Sequence, residues 1–136
     1  MAVRFKLVQR KDMSKGAADG AKLYYPQAVN NGYVSFDELC TEISDMCTLT
    51  SADVKAVLDR MNYVLDKSLH AGRIVQLGEI GNFRMAVGGS GVAKTDDFNP
   101  SQIRKPRIVF TPGKKLQLTR SNSKFEQLQP AEMKGN

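Results

Sequence analysis

Apolar and polar positions alternate from the first residues, with Val3, Phe5 and Leu7 set against Arg4 and Lys6, which is the period-two pattern of a half-buried strand over residues 2–9. Residues 11–20 are rich in Gly, Ala, Ser and charge and read as a loop. A second strand is expected over 21–28, with Tyr24 and Tyr25 on it, so residues 1–33 form a hairpin extension. The period then changes. Ser35, Phe36, Asp37 and Glu38 fit a capping box, and Phe36, Leu39, Cys40, Ile43 and Cys47 follow at helical spacing, predicting a helix over about 36–47. Thr50 to Asp53 repeats the start signal in a weaker form. Val54, Val57, Leu58, Met61, Leu65 and Leu69 carry a second helix from about 51 to 70, stopped by Gly72. The short gap between the two predicts a helical hairpin.

Beyond Gly72 the two-residue period returns. Residues 73–77 and 82–87 flank Gly78-Glu79-Ile80-Gly81 as a β-hairpin, with Phe83, Met85 and Val87 on one face and Arg84 on the other. Gly88-Gly89-Ser90-Gly91 is too glycine-rich for a strand and marks a protruding tip. The chain returns through 96–105 to a strand at 107–110, whose buried set is Ile108 and Phe110 and whose exposed one is Arg107. Thr111 as cap and Pro112 at the first helical position predict a final helix of about two turns, with Leu116 packing back. Phe125 and Leu128 offer material for one more short strand, and the last eight residues read as disordered. The fold class is therefore α+β, with a helical hairpin, a three-stranded antiparallel sheet with a protruding β-arm and a short C-terminal helix. The boundaries are 1–33 for the extension, 34–120 for the body and 121–136 for the tail.

Composition narrows the partner. The chain of 136 residues has a net charge of +6, a pI near 9.4 and a mean hydropathy of -0.36. No apolar run is long enough to span a membrane, and the first residues lack the apolar core of a secretory signal, so a cytoplasmic protein is expected. The charge is unevenly placed. Lys and Arg stand against Asp and Glu as 6 to 2 in residues 1–33, 3 to 7 in 34–71 and 9 to 3 in 72–120. Such polarity suits a protein that lays one face on polyphosphate. Cys40 and Cys47, seven residues apart on a helix, are too distant for a disulfide and read as a reduced, buried pair. With His70, the one histidine, they make no zinc spacing. The glycine run lacks the lysine of a phosphate-binding loop, and no acid, base and nucleophile set converges, so no metal, cofactor or enzymatic activity is expected.

The joints of this pattern resemble the HU/IHF family of bacterial nucleoid proteins over about residues 34–120. The resemblance rests on Leu69-His70-Ala71-Gly72 leading into Val75-Gln76-Leu77, on Gly81-Asn82-Phe83, and on Phe110-Thr111-Pro112-Gly113-Lys114-Lys115-Leu116. The N-terminal extension with Lys22-Leu23-Tyr24-Tyr25-Pro26 looks like the variant of that family found in Bacteroidetes. The resemblance implies an intertwined homodimer, nucleoid association, and two arms that embrace the minor groove of duplex DNA. A proline near each arm tip, within Arg-Asn-Pro, is also implied to wedge between base steps. Here Asn99-Pro100 is preceded by Phe98, so Pro100 either wedges or simply starts a turn. The residues themselves agree with a dimer, because a lone chain of this pattern leaves Phe36, Phe83 and Phe110 partly uncovered.

Candidate DNA contacts follow from charge and position. Lys114 and Lys115 open a helix, where free N–H groups favour an anion and two lysines make sense if a phosphate fills the site. Arg84, Arg104, Lys105 and Arg107 flank the arm and Lys94 lies near its tip beside Asp96 and Asp97. These charges serve either phosphate contact or protection of a strand edge. Arg73 faces either DNA or the end of the second helix, and Tyr24, Tyr25 and Tyr33 read as packing residues. The expected function is architectural binding of duplex DNA with low sequence preference, with bending or compaction. The alternative is an HU-like dimerisation scaffold whose extension docks a protein.

Overall fold

The computed structural model describes residues 1–129; the part of the expected disordered tail beyond them lies outside the described residues. The chain divides into two compact units, first Met1–Val34 together with residues 122–129 and second, separately, Ser35–Ser121.

In the first unit β1 (Val3–Lys11) pairs antiparallel with β2 (Lys22–Val29), as the alternation of apolar and charged residues requires. The tail returns to them. β6 (Phe125–Gln127) pairs with β1 in parallel, Val3 opposite Phe125, giving the order β2-β1-β6, so the expected hairpin is a three-stranded sheet. Leu128, just past β6, donates its N–H to the Phe5 carbonyl and is buried. One face of this sheet is apolar, a shallow open groove lined by Val3, Phe5, Leu7, Pro26, Ala28 and Phe125.

The second unit runs α1 (Phe36–Asp45), α2 (Ser51–His70), β3 (Val75–Gln76), β4 (Gly81–Ala86), β5 (Arg107–Pro112) and α3 (Lys114–Ser121). α1 begins where Ser35 Oγ accepts the Glu38 N–H at 3.1 Å. It ends two residues earlier than expected, at Asp45, so that Cys40 is fully buried while Cys47 lies beyond the helix and is exposed. The two cysteines are thus not a buried pair. The strengths of the two start signals are also reversed. Thr50 carries the complete capping box, its hydroxyl accepting from the Asp53 N–H at 3.1 Å and the Asp53 carboxylate accepting from the Thr50 N–H at 3.1 Å, whereas at Ser35 the Glu38 carboxylate makes no return bond to the cap among the described residues. The neighbouring Asp37 carboxylate meets Lys55 Nζ on α2 at 2.6 Å. That carboxylate holds the Lys55 pKa above its ordinary value. Thr50→Ala removes one reciprocal bond of the box and is expected to lower the unfolding free energy by about 1 kcal/mol, read from denaturant melts.

The covered stripe of α2 is Val54, Leu58, Met61, Leu65 and Leu69, while Val57 and Val64 fall off it and are exposed. At its end Gly72, at φ +75°, donates to Leu69 O and Arg73 donates to Ser68 O, both at 3.0 Å, a left-handed glycine stop. β3, β4 and β5 form one antiparallel sheet in that order, with Val75 opposite Phe83 and Phe83 opposite Phe110. Gly78, at φ +62°, occupies the first central position of the tight Leu77–Ile80 turn between β3 and β4.

Two expectations fail here for physical reasons. Thr111 and Pro112 end β5 rather than opening the helix. Pro112 lies opposite Gly81, and Gly113 takes the capping place with its carbonyl accepting from the Gln117 N–H at 2.9 Å. Ile108 and Phe110 are also not buried within the chain, being 62% and 40% exposed.

Candidate nucleic-acid interface

The register of β4 and β5 decides which side chains share a face. Asn82 lies opposite Thr111, Arg84 opposite Val109 and Ala86 opposite Arg107, so Arg84 and Arg107 occupy one face as diagonal neighbours, both exposed. The other face carries Phe83 opposite Phe110 and Met85 opposite Ile108, and the two phenylalanine rings stand 5.0 Å apart, tilted by 38°. The sheet is thus cationic on one side and apolar on the other.

Past Ala86 the ladder shifts. Gly89 bridges Ile103, and Arg104 donates its N–H to Gly88 O at 2.8 Å, so the return strand holds one residue more than its partner between the last ladder pair and this bridge. The extra length contains Pro106, which has no N–H to give a ladder. Gly89 is required there because a Cβ would collide with the Gln102 carbonyl. Arg104 and Lys105 lie in this bulged stretch, next to Arg107, and are exposed.

Residues 90–102 are not paired strands. They fold as two 3-10 turns, Thr95–Asp97 and Pro100–Gln102, so the expected β-arm extends as a ribbon only to the Gly89 bridge. Pro100 is the first residue of the second turn. Asn99 Oδ1 accepts from the Ser101 N–H at 3.0 Å and Gln102 Oε1 accepts from the Asn99 N–H at 2.8 Å, which holds the turn closed around it. Lys94 immediately precedes the first turn, its carbonyl accepting from the Asp97 N–H, with two carboxylates following it in the chain.

Lys114 and Lys115 open α3, whose first turn contains no acid, and both are exposed. The start of α3 is fixed to the β3–β4 turn. Gly113 donates to Ile80 O at 2.9 Å, and a Cβ on Gly113 would fall on the Glu79 carbonyl. This joint places the two lysines at the Gly81 end of the sheet, whereas Arg107 lies opposite Ala86 at its other end. The separation along β4 is roughly 17 Å. Arg73, exposed, enters β3 from the glycine stop of α2.

The candidate cations therefore form a group along one sheet face and its bulged continuation (Arg84, Arg104, Lys105, Arg107) and a second pair at the far end (Lys114, Lys115). Lys94 and Pro100 stand apart in the turn region. None of these cations pairs with a carboxylate among the described residues. Asn82 and Thr111, missed in the sequence, share the Arg84 face and supply polar groups between the two cationic ends. Alternation along β4 sets Asn82 beside Arg84, and the register adds Thr111 to the same face.

The family model described as an HU domain fused to wHTH, Ig, or glycine-rich motif matches residues 1–127. The chain belongs to this family. The HU resemblance read from the joints of residues 34–120 is thereby borne out, and the match takes in the β1–β2 strands of this HU-family chain as well. A crystal structure of a candidate bacterial DNA-binding protein from Bacteroides vulgatus ATCC 8482 has a similar fold, with a TM-score of 0.63 and 15% identity over 95% of this chain. The chain spans 50% of that protein's length. No curated protein matches the sequence. Among the described residues no helix is long and apolar enough to cross a membrane.

Proposed function

We propose that this HU-type chain is an architectural, non-enzymatic protein of the bacterial nucleoid that binds duplex DNA with low sequence preference, as a homodimer. The observation that carries the reading is the two-faced sheet. Arg84 and Arg107 on one side suit a polyphosphate, and the half-exposed Phe83, Met85, Ile108 and Phe110 on the other suit a two-fold partner. Phe36, Val57 and Val64 on the helices, each at least half exposed, extend the apolar surface that a second copy would cover. Membership of the HU family supports the same assignment.

In this reading Arg84, Arg104, Lys105 and Arg107 contact phosphates on both sides of the minor groove. Lys114 and Lys115, with the free N–H groups of the α3 start beside them, hold a phosphate further along the duplex. Arg73 and Lys94 add contacts at the margins. Pro100, enclosed by the Asn99 and Gln102 bonds, serves its turn rather than a wedge, so binding relies on charge and groove shape and the duplex is kinked less than an inserted side chain would kink it.

Gel retardation with several unrelated duplexes tests this. Micromolar protein at about 50 mM salt is expected to retard all of them with similar affinity, and retardation should fall steeply as salt rises. No retardation at low salt, or strong preference for one sequence, would overturn the reading.

A further inference from the structure

Outside the sheet just described, a second concentration of cations lies in the first unit, at the loop end of the β1–β2 hairpin. β6 pairs with β1 only over Val3–Phe5, so the hairpin continues beyond it as a two-stranded ribbon that ends with Lys11 opposite Lys22. These two lysines are directly cross-strand neighbours and both are exposed. Like charges at that position destabilise a strand pair. Arg10 points to the other side of the ribbon, opposite Leu23, and Lys15 sits in the connecting loop. None of the four is ion-paired among the described residues. The Asp12 carboxylate beside them is engaged within its own loop, where it accepts from the Ser14 N–H at 2.9 Å and the Ser14 hydroxyl at 2.5 Å.

Protection of a strand edge accounts for a charge on an outer strand. It does not account for two like charges set directly opposite each other, with an arginine behind them and a lysine in the loop. An anion between Lys11 and Lys22 does, because it converts their mutual repulsion into a shared attraction. A ribbon of two strands is also narrow enough to lie along a groove of duplex DNA, with long cationic side chains reaching backbone phosphates from both of its faces.

We infer that the loop end of the β1–β2 ribbon is a second DNA-contact element, in which Arg10, Lys11, Lys15 and Lys22 meet backbone phosphates of the bound duplex. This rests on DNA binding by the β3-β4-β5 unit. The two units are joined by two chain crossings, between residues 34 and 35 and between residues 121 and 122. Once one unit engages a duplex, the other is therefore held near it at high effective concentration.

The test is the slope of log affinity against log salt for the full chain, for Arg10→Gln/Lys11→Gln/Lys15→Gln/Lys22→Gln, and for Arg84→Gln/Arg107→Gln. Each phosphate contact contributes about 0.9 to the slope, so the four-site variant is expected to lose about 3 to 4 per bound chain, about 7 for a bound dimer, and to bind every duplex at least about tenfold more weakly at 0.1 M salt. The two-site sheet variant should lose about 2 per bound chain, about 4 for a bound dimer. If the four-site variant loses its thermal transition, Lys11→Gln/Lys22→Gln carries the test, with an expected loss of about 2 per bound chain, about 4 for a bound dimer. Wild-type protein that binds with a slope unchanged in a folded hairpin variant overturns this inference alone, and leaves the ribbon charges to an acidic protein partner. Wild-type protein that binds no duplex overturns the reading on which it rests.

Discussion

Alanine in place of Gly81 is expected to lower the unfolding free energy by about 2–4 kcal/mol, among the largest effects available to a single methyl group in this chain. Gly81 is buried at the first position of β4 with φ at +141°, a backbone conformation that side-chain-bearing residues rarely adopt. A Cβ there would meet the Thr111 carbonyl oxygen and, at 2.7 Å, the edge of the Phe110 ring. Neither neighbour can yield cheaply. Thr111 belongs to the β4–β5 ladder, and the Phe110 ring packs, tilted, against Phe83. The Gly81 carbonyl also accepts from the Leu77 N–H at 2.8 Å, so movement of residue 81 opens the turn that holds α3 through Gly113. Gly91→Ala is the control. Its site is open space at an ordinary φ, and alanine there should change stability by no more than about 1 kcal/mol, in the stabilising direction if at all. Equal denaturation midpoints for the two variants would mean that the joint at residue 81 is looser than its geometry.

The same joint shows what the sequence made legible. The period change near residue 35, the Ser35 and Thr50 caps and the Gly72 stop are local signals, and local hydrogen bonds satisfy them. The three-stranded body sheet and the short last helix followed in the same way. What stayed hidden depends on partners distant in the chain. The three residues of β6 carry no pattern strong enough to announce a parallel pairing with β1 across the whole intervening body. Thr111-Pro112-Gly113 reads equally well as a helix start, and only the pairing of Pro112 with Gly81 assigns the proline to β5. Helical periodicity made Cys47 a buried position, yet the chain leaves the helix at Asp45.

The candidate site divides along the same line. Clustered charge in residues 72–120 was visible in composition, and alternation along each strand placed Arg84 and Arg107 on polar faces. That those two faces are the same face is a matter of register, which no single strand encodes. Lys114 and Lys115 were found by their conflict with the helix dipole, whereas their distance from the arginines follows from the Gly113–Ile80 bond. The opposed lysines of the hairpin became meaningful only once Lys11 and Lys22 were paired.

Ile108→Asp is expected to abolish the proposed dimer and, with it, most of the proposed DNA binding, while leaving the fold of the single chain nearly untouched. Within one chain Ile108 is 62% exposed, and a charge at so open a position should change the stability of a lone subunit by less than about 1 kcal/mol. If a second copy covers the Phe83, Met85 and Phe110 face, the same carboxylate is buried without a partner, at a cost of several kcal/mol, about a hundredfold or more in the dimer dissociation constant. Light scattering across a dilution series should then report a dimer for the wild type and a monomer for the variant. Retardation of DNA should weaken steeply, since each monomer brings half the phosphate contacts. A variant that remains dimeric places the partner elsewhere. A monomeric variant that still binds DNA as tightly as the wild type separates dimerisation from DNA binding and confines the interface to one chain.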